Sequence, residues 1–258
     1  MKKIYLGTNW KMHKNLADTK LYLQTLNEYI IDVDFEKVAI FVIPPYTSLS
    51  TVKKALKNSK LLYGAQNMHW QDEGAFTGEI SPKMLKDFDI DLIELGHSER
   101  RQYYNENDID LNRKVKAALK HNFTPLICVG EKEEDKKYGI GPEVIRKQLK
   151  IILHGVDGNA LANLWIAYEP VWAIGEDGKP ATPDYVKMIH GIIRDTIGEL
   201  YNEEIAKEVP ILYGGSVNEN NAYLFLREEN VNGLFIGRAA WEPKSFSRII
   251  HQMIETFC

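Results

Sequence analysis

Eight short apolar runs recur along the chain, and several of them are nearly continuous rather than alternating with polar residues. The run Val38 to Ile43, for example, contains no polar residue. A continuous apolar run of this length is typical of a strand that is covered on both faces, as in a parallel sheet. The pattern predicts eight parallel strands: Ile4 to Trp10, Val38 to Ile43, Leu61 to Ala65, Leu92 to Leu95, Pro125 to Val129, Leu164 to Tyr168, Ile211 to Tyr213 and Leu234 to Ile236.

The segments between these strands have helical periodicity. Ser81-Pro82 and Thr182-Pro183 have the form of helix starts, a capping hydroxyl followed by proline at the first helical position. Apolar residues share one helical face in three segments: Leu111, Val115, Ala118 and Leu119; Ile145, Leu149, Ile152 and Leu153; Phe246, Ile249, Ile250, Met253 and Ile254.

Eight strand-then-helix units without a composition break predict an α/β fold, a single (β/α)8 TIM barrel in which residues 1–258 form one domain. A doubly wound open sheet is the alternative, since the pattern does not say whether the sheet closes. In a barrel, functional residues lie at the C-terminal ends of the strands. Polar residues and glycines concentrate there: Asn9, Lys11, Gln66-Asn67, His97-Ser98-Glu99, Gly130-Glu131, Glu169, Gly214-Gly215-Ser216 and Gly237-Arg238.

The sixth strand ends in an acid. Glu169 is followed by Pro170, which ends the strand, and by a glycine-containing loop that runs to the helix start at Thr182. The order of strand, acid, loop and helix indicates a general base under a lid. A solvated carboxylate at a strand end, followed by an ordinary surface loop, explains the same letters equally well.

Two further side chains at strand ends are candidates for catalysis. His97 follows the fourth strand, and a helix that begins at Ser98 and Glu99 would disfavour the imidazolium and leave a neutral ring able to donate to a carbonyl oxygen. A single histidine is more often structural. Lys11 is either a solvated surface lysine or a group that stabilises developing negative charge.

The stretch Gly214-Gly215-Ser216 exposes backbone N–H groups in a way that suits a phosphate, although a tight turn explains the glycines as well. Its position favours phosphate, because the loops after strands seven and eight are the recurrent phosphate site of TIM barrels. Gly237 ends the eighth strand.

The composition limits the class of partner. A net charge of -4 with interspersed signs disfavours nucleic acid and membrane, and two cysteines form no disulfide framework and favour a reducing compartment. No apolar stretch is long enough to span a bilayer, so we expect a cytoplasmic protein. The sequence contains neither a zinc motif nor a nucleotide-binding fingerprint, and we expect neither a metal nor a cofactor.

Beyond these physical arguments, the chain resembles the triosephosphate isomerase family nearly end to end. The resemblance rests on seven blocks: Asn9-Trp10-Lys11, Gln66-Asn67-Met68-His69, Gly74-Ala75-Phe76-Thr77-Gly78-Glu79, Gly96-His97-Ser98-Glu99-Arg100-Arg101, Cys128-Val129-Gly130-Glu131, Ala167-Tyr168-Glu169-Pro170-Val171-Trp172-Ala173-Ile174-Gly175 and Tyr213-Gly214-Gly215-Ser216-Val217.

This resemblance implies a set of roles. Glu169 would be the base and His97 the electrophile, with Asn9 and Lys11 supporting an enediolate and loop 170–180 closing over the substrate phosphate. Loop 74–79 would reach into a second copy of the chain and place Thr77 near that copy's site, which implies a homodimer. The implied phosphate contacts are Gly175, Ser216, Gly237 and, with its changed side chain, Arg238; the implied supporting residues are Glu99, Ser98 and Tyr213.

Three positions depart from the family pattern. The lid is one residue longer than usual and carries the acids Glu176 and Asp177. Arg238 stands where the family has a second glycine, and its side chain either points outward or makes a charge-assisted contact with the substrate. Asn232 replaces an aspartate, which puts a structural ion pair in doubt.

The resemblance implies interconversion of dihydroxyacetone phosphate and D-glyceraldehyde 3-phosphate, a step of glycolysis and gluconeogenesis. The altered lid and Arg238 keep open a tetrulose phosphate such as L-erythrulose 1-phosphate as the substrate of the same chemistry. A phosphosugar-binding protein without catalysis is a third hypothesis, and it leaves the retention of Glu169, His97 and Lys11 unexplained.

Overall fold

A computed structural model describes residues 3–175 and 178–258. Its eight strands close into a barrel in which each strand is parallel to its neighbours and β8 pairs with β1. The predicted (β/α)8 barrel is therefore confirmed and the open sheet is wrong. Both ends of every predicted strand agree with the observed strand to within one residue. The observed strands are β1 Ile4–Asn9, β2 Val38–Ile43, β3 Leu62–Ala65, β4 Leu92–Leu95, β5 Thr124–Val129, β6 Trp165–Tyr168, β7 Ile211–Tyr213 and β8 Gly233–Ile236.

Helices follow the strands around the barrel. Both predicted starts are confirmed, because Ser81 Oγ accepts from Met84 N at 3.1 Å and Thr182 Oγ1 accepts from Tyr185 N at 3.3 Å. The α-helices are α1 Leu16–Tyr29, α2 Leu49–Ala55, α3 Pro82–Lys86, α4 Ser98–Tyr103, α5 Asp108–Lys120, α6 Glu133–Lys137, α7 Gly141–Ile152, α8 Pro183–Leu200, α9 Glu203–Glu208, α10 Ala222–Leu226 and α11 Pro243–Phe257.

The strands bury both faces, as their continuous apolar sequences predict. One face packs against the helices, and the other fills the barrel interior with a separate cluster that includes Phe41, Leu92, Leu126 and Trp165. Gly7 makes room for this filling, because a Cβ there would lie 2.1 Å from the Phe41 ring. A filled interior leaves the C-terminal ends of the strands as the place where a ligand can enter.

Near β8, Asn232 replaces the aspartate of the family's ion pair, and its neutral side chain contacts Arg194 instead. Asn232 Oδ1 accepts from Arg194 Nη2 at 2.8 Å and from Ile211 N at 2.9 Å. The guanidinium also donates to the carbonyl oxygens of Ala206 and Val209. Burial lowers the pKa of Arg194 to about 10, so the group is still a cation at neutral pH, held by neutral acceptors.

Among the described residues, the helices are all too short or too polar to cross a membrane.

Candidate active site

The C-terminal ends of the strands surround a cavity of about 630 Å³. Such a volume is within the usual range for small-molecule sites. Nine of the predicted site residues line it: Asn9, Lys11, His97, Glu99, Glu169, Gly175, Ser216, Gly237 and Arg238. Residues predicted separately from distant parts of the chain are thus brought to one site.

Glu169 sits at the end of β6 with its carboxylate inside the cavity wall. Its backbone N–H donates to Val129 O at 2.8 Å, and its side chain is 7% exposed. Gly214 allows the close packing, because a Cβ there would lie 3.0 Å from Glu169 Cγ. Glu169 Oε2 is buried and makes no hydrogen bond within residues 3–175 and 178–258. The residue lines the cavity, and a carboxylate that makes few hydrogen bonds of its own is suited to accept a proton from a ligand.

His97 caps the helix α4, which begins at Ser98 as predicted. Its Nδ1 accepts a hydrogen bond from Glu99 N at 3.1 Å. Because a backbone N–H can only donate, Nδ1 carries no proton, and the neutral ring holds its proton on Nε2. Nε2 lies 3.7 Å from Glu169 Oε1. A hydrogen-bond donor and a candidate base therefore lie side by side on the cavity wall, where both can reach the same substrate.

Asn9 and Lys11 form the neighbouring wall. Asn9 Oδ1 accepts from Lys11 N at 2.6 Å, and Lys11 adopts a left-handed backbone conformation with φ of 51°. Lys11 Nζ forms an ion pair with Glu99 Oε1 at 2.7 Å. Gln66 Nε2 donates to Lys11 O at 2.8 Å and holds this bend. The ammonium is thus held at the cavity by named contacts, which disfavours the surface-lysine interpretation.

The opposite end of the cavity consists largely of backbone. Ser216 has φ of 49°, and its hydroxyl contacts Ala173 O at 2.7 Å and Gly178 O at 3.1 Å, both in the predicted lid. Gly237 precedes a short 3₁₀ helix, Arg238–Ala240, and is open to the cavity. The glycine and the positive-φ serine expose peptide groups, as a phosphate site requires.

Arg238 turns toward the lid. Its Nη2 donates to Gly175 O at 2.9 Å, so the side chain spans the gap between the β8 loop and the lid. This contact with the lid backbone was not among the alternatives considered from the sequence, and the charge-assisted contact with a substrate stays a prediction. The lid acids Glu176 and Asp177 lie outside the described residues.

The first hinge of the lid is anchored by Glu131, which the sequence analysis placed at the end of the fifth strand without giving it a role. Trp172 Nε1 donates to Glu131 Oε1 at 2.8 Å, and the hydroxyls of Tyr168 and Tyr185 donate to the same carboxylate. Glu131 is fully buried. Its place just after β5, beside Gly130, was the signal that could have found it.

The predicted supporting residue Tyr213 holds the second hinge. Its hydroxyl oxygen accepts from Ala181 N at 3.3 Å beneath the end of the lid. Ser98 lies behind Glu169 at a small gap that Cys128 also lines. Thr77 lies in the exposed loop 74–79, away from this chain's own cavity.

The sequence analysis also missed Glu94 in β4 and Trp241 after β8. Trp241 Nε1 donates to Asn9 O at 2.9 Å and closes the wall behind that residue. Glu94 is fully buried, and its carboxyl accepts from Asn9 Nδ2 at 2.6 Å. A single acid inside the apolar strand Leu92–Leu95 was a visible signal, since an unpaired charge there would be costly.

A family model described as triosephosphate isomerase matches residues 4–253. The chain belongs to the triosephosphate isomerase family. It is 44% identical to an L-erythrulose-1-phosphate isomerase of Mesorhizobium japonicum, over 97% of each chain. It is 40% identical to a triosephosphate isomerase of Dictyoglomus thermophilum, over 97% of this chain and 99% of that one, and 42% identical to one of Alkaliphilus metalliredigens, over 97% and 100%.

Membership of the triosephosphate isomerase family makes the protein a sugar-phosphate isomerase. The two names among its relatives differ in the sugar, so the family assignment fixes the class of reaction and leaves two substrates to compare. Within the described parts of the chain, no group of three or more His, Cys, Asp or Glu side chains has the arrangement of a metal site.

Proposed function

We propose that the protein isomerises a short ketose phosphate through an enediolate, with Glu169 as the base and His97 as the electrophile. The observation that carries this proposal is the 3.7 Å separation between Glu169 Oε1 and His97 Nε2, together with the unpartnered Glu169 Oε2. Removal of a proton from a carbon next to a carbonyl needs two groups, one that takes the proton and one that stabilises the oxygen that gains charge.

The proposed step conserves all atoms of the sugar. Glu169 takes a proton from the hydroxyl-bearing carbon beside the carbonyl, and the electron pair of that C–H bond forms the C=C bond of the enediolate. The carbonyl oxygen becomes an oxyanion, which the Nε2–H of His97, the Lys11 ammonium and the Asn9 amide stabilise. Glu169 then returns the proton to the former carbonyl carbon, while hydroxyl protons exchange through His97.

At the other end of the cavity, Gly175, Ser216, Gly237 and Arg238 would bind the phosphate. Backbone N–H groups and a guanidinium recognise a phosphate through charge-assisted hydrogen bonds. Arg238 and Ser216 both contact lid backbone, so phosphate binding and lid position would be linked. A closed lid excludes water, which protects an enediolate that could otherwise lose its phosphate.

The first candidate substrate is dihydroxyacetone phosphate, converted to D-glyceraldehyde 3-phosphate in cytoplasmic glycolysis and gluconeogenesis. It is supported by the presence of Asn9, Lys11, His97 and Glu169 in one cavity and by relatives named triosephosphate isomerase.

The second candidate is L-erythrulose 1-phosphate, favoured by the relatives that carry that name at 42 to 44% identity. This sugar is dihydroxyacetone phosphate with one hydroxymethyl group added on the carbon that loses the proton. The same transfer would then move the carbonyl by one carbon. The two candidates share their phosphate end, so discrimination between them must arise at the end that holds Glu169, His97 and Asn9.

The deciding experiment measures kcat/KM of the purified protein on both sugars side by side. A triose value near about 10⁸ M⁻¹s⁻¹ and above the tetrulose value identifies the first candidate. A higher tetrulose value identifies the second. Absence of turnover on both, with retained binding of either phosphate ester, would contradict the proposal and leave a phosphosugar-binding protein.

We also propose a homodimer in which loop 74–79 meets a second copy. Phe76 in this loop is 43% exposed and Thr77 is exposed. An exposed aromatic on a projecting loop is suited to burial against a partner. Light scattering at micromolar concentration should give twice the 29.6 kDa chain mass. A Thr77→Arg variant should shift the protein toward monomer, whereas a monomeric wild-type protein would contradict the proposal.

A further inference from the structure

Glu94 is a fully buried acid in the middle of a parallel barrel strand. It lies two residues after Leu92 on β4, so both side chains point to the barrel interior, and Leu92 belongs to the interior apolar cluster. Replacing a buried ionisable group by an apolar residue of similar size is often neutral or stabilising. Glu94 therefore needs an explanation other than fold stability.

The geometry around Asn9 identifies what Glu94 does. Lys11 N can only donate, so the Asn9 atom 2.6 Å from it is Oδ1, and the atom that faces Glu94 is the amide nitrogen Nδ2. Nδ2 donates to Glu94 Oε2 at 2.6 Å. Lys11 and Glu94 together fix both ends of the amide, and one N–H of Nδ2 is left for the cavity that Asn9 lines.

The charged and titratable groups around Glu94 come from β5, the end of β6, the segment after β1 and helix α4. Its Oε1 contacts the Cys128 thiol on β5 at 3.8 Å, and that thiol also faces the Glu169 carboxylate at the end of β6. On the cavity side, the positive charge of Lys11 lowers the pKa of Glu94 and the negative charge of Glu99 raises it. Burial, followed by the negative charge of Glu169, raises the pKa of Glu94 well above its usual range. A raised pKa favours the neutral form of the carboxyl, which can accept from Asn9 without putting a second anion beside the base.

We propose that Glu94 is a positioning residue of this isomerase, which holds the Asn9 amide so that its free N–H points at the oxygen that gains charge during proton transfer. The proposal rests on the proposed enediolate chemistry. Since Asn9 is at the end of the cavity where the triose and the tetrulose differ, Glu94 acts on the part of the site that meets the reacting carbon.

The test compares Glu94→Gln with Glu94→Leu on whichever sugar the wild-type protein turns over. Glutamine keeps an acceptor oxygen for Asn9 Nδ2 without a charge, so kcat should stay within about threefold of wild type. Leucine removes the acceptor, so kcat should fall between roughly tenfold and a hundredfold, with KM changed by less than about threefold, as expected for a misplaced catalytic group.

Leu92→Val serves as the matched control, since it changes the same face of β4 one layer further from the site. It should lower the melting temperature and leave kcat unchanged, whereas Glu94→Leu should leave the melting temperature unchanged or raise it while lowering kcat.

Two results would overturn the role of Glu94. One is a Glu94→Leu variant with wild-type kcat, and the other is an equal loss of kcat in the glutamine and leucine variants, which would show that the acceptor oxygen is not what matters. Both require an active wild-type protein. If wild type turns over neither sugar, it is the proposed isomerase function that fails, and the two failures are thus distinguished.

Discussion

The two ends of the cavity are built in different ways. At the reacting end, buried side chains are fixed by contacts within the barrel: the Glu94 carboxyl and the Lys11 backbone N–H hold the Asn9 amide, and the first peptide of α4 holds the His97 ring. At the phosphate end, Ser216 and Arg238 contact backbone oxygens of the lid, and Arg238 is exposed. One end is held rigidly by the barrel, and the other is shared between the barrel and a loop.

The difference matches the demands of each step. Proton transfer needs a donor and an acceptor placed to within a fraction of an ångström, and this accuracy comes from packed strands. Phosphate binding needs several peptide and cationic groups around a nearly spherical anion, and it tolerates movement. We therefore expect changes at the reacting end to act on kcat and changes at the phosphate end to act on KM.

The largest effect is expected for Glu169→Gln. It removes the proton acceptor while keeping the shape of the side chain, so kcat should fall by roughly 10²- to 10⁴-fold with little change in KM. Steady-state kinetics on the preferred sugar measure both values. Glu203→Gln, in the exposed first turn of α9, is the control and should be neutral. Wild-type kcat in Glu169→Gln would contradict the assignment of the base.

A smaller effect, on the other kinetic constant, is expected for Arg238→Gly. If the guanidinium binds the phosphate in substrate and transition state alike, as proposed, its loss should raise KM about tenfold and leave kcat within about twofold. The effect should shrink at high salt, because exposed charges are screened. Arg248→Ala removes a surface arginine paired with Glu219 and should leave KM unchanged. A fall in kcat without a rise in KM would contradict the expectation that changes at the phosphate end act on KM.

Ser216→Ala should give a weaker effect at the same end. Its hydroxyl contacts two lid carbonyls, and loss of a neutral hydrogen bond costs on the order of 1 kcal/mol, which corresponds to about a fivefold change in kcat/KM. The measurement is kcat/KM on the preferred sugar together with the rate of chymotryptic cleavage after Trp172 in the lid, which should rise if the hydroxyl holds the loop. An unchanged cleavage rate would show that the Ser216 hydroxyl does not hold the lid.

Local pattern predicted the barrel well, because each strand is covered on both faces and its apolar run is readable without knowing its neighbours. The bounds of β1, β3 and β6 differ by one residue, because Trp10, Leu61 and Leu164 continue the apolar run beyond the ladder. Strands β5 and β8 begin one residue earlier than predicted, at Thr124 and Gly233, where the residue is not apolar enough to extend the run. Closure of the sheet was beyond the pattern, since pairing of β8 with β1 joins residues from opposite ends of the chain.

Residues that act through other residues were harder to predict. Glu94 contacts Asn9 and Glu131 contacts Trp172, both distant in sequence, and only the folded strands bring these residues together. The orientation of Arg238 had the same cause, because its partner Gly175 lies across the cavity in another loop. A polar residue inside an apolar strand indicates that it has a hydrogen-bonding partner, but the sequence does not show which residue that partner is.

The smallest effect on activity is expected for Asn232→Asp, which is remote from both ends. Aspartate keeps the acceptors for Arg194 Nη2 and Ile211 N and adds a charge opposite a buried guanidinium. An increase of about 1 kcal/mol in the free energy of unfolding would raise the melting temperature by about 2–4 °C, with kcat and KM unchanged. Asn230→Asp, whose Oδ1 is 3.3 Å from Arg194 Nε, is the weaker-contact control. A lower melting temperature for Asn232→Asp would mean that desolvating a carboxylate costs more than the ion pair returns, and that the neutral acceptors already suffice.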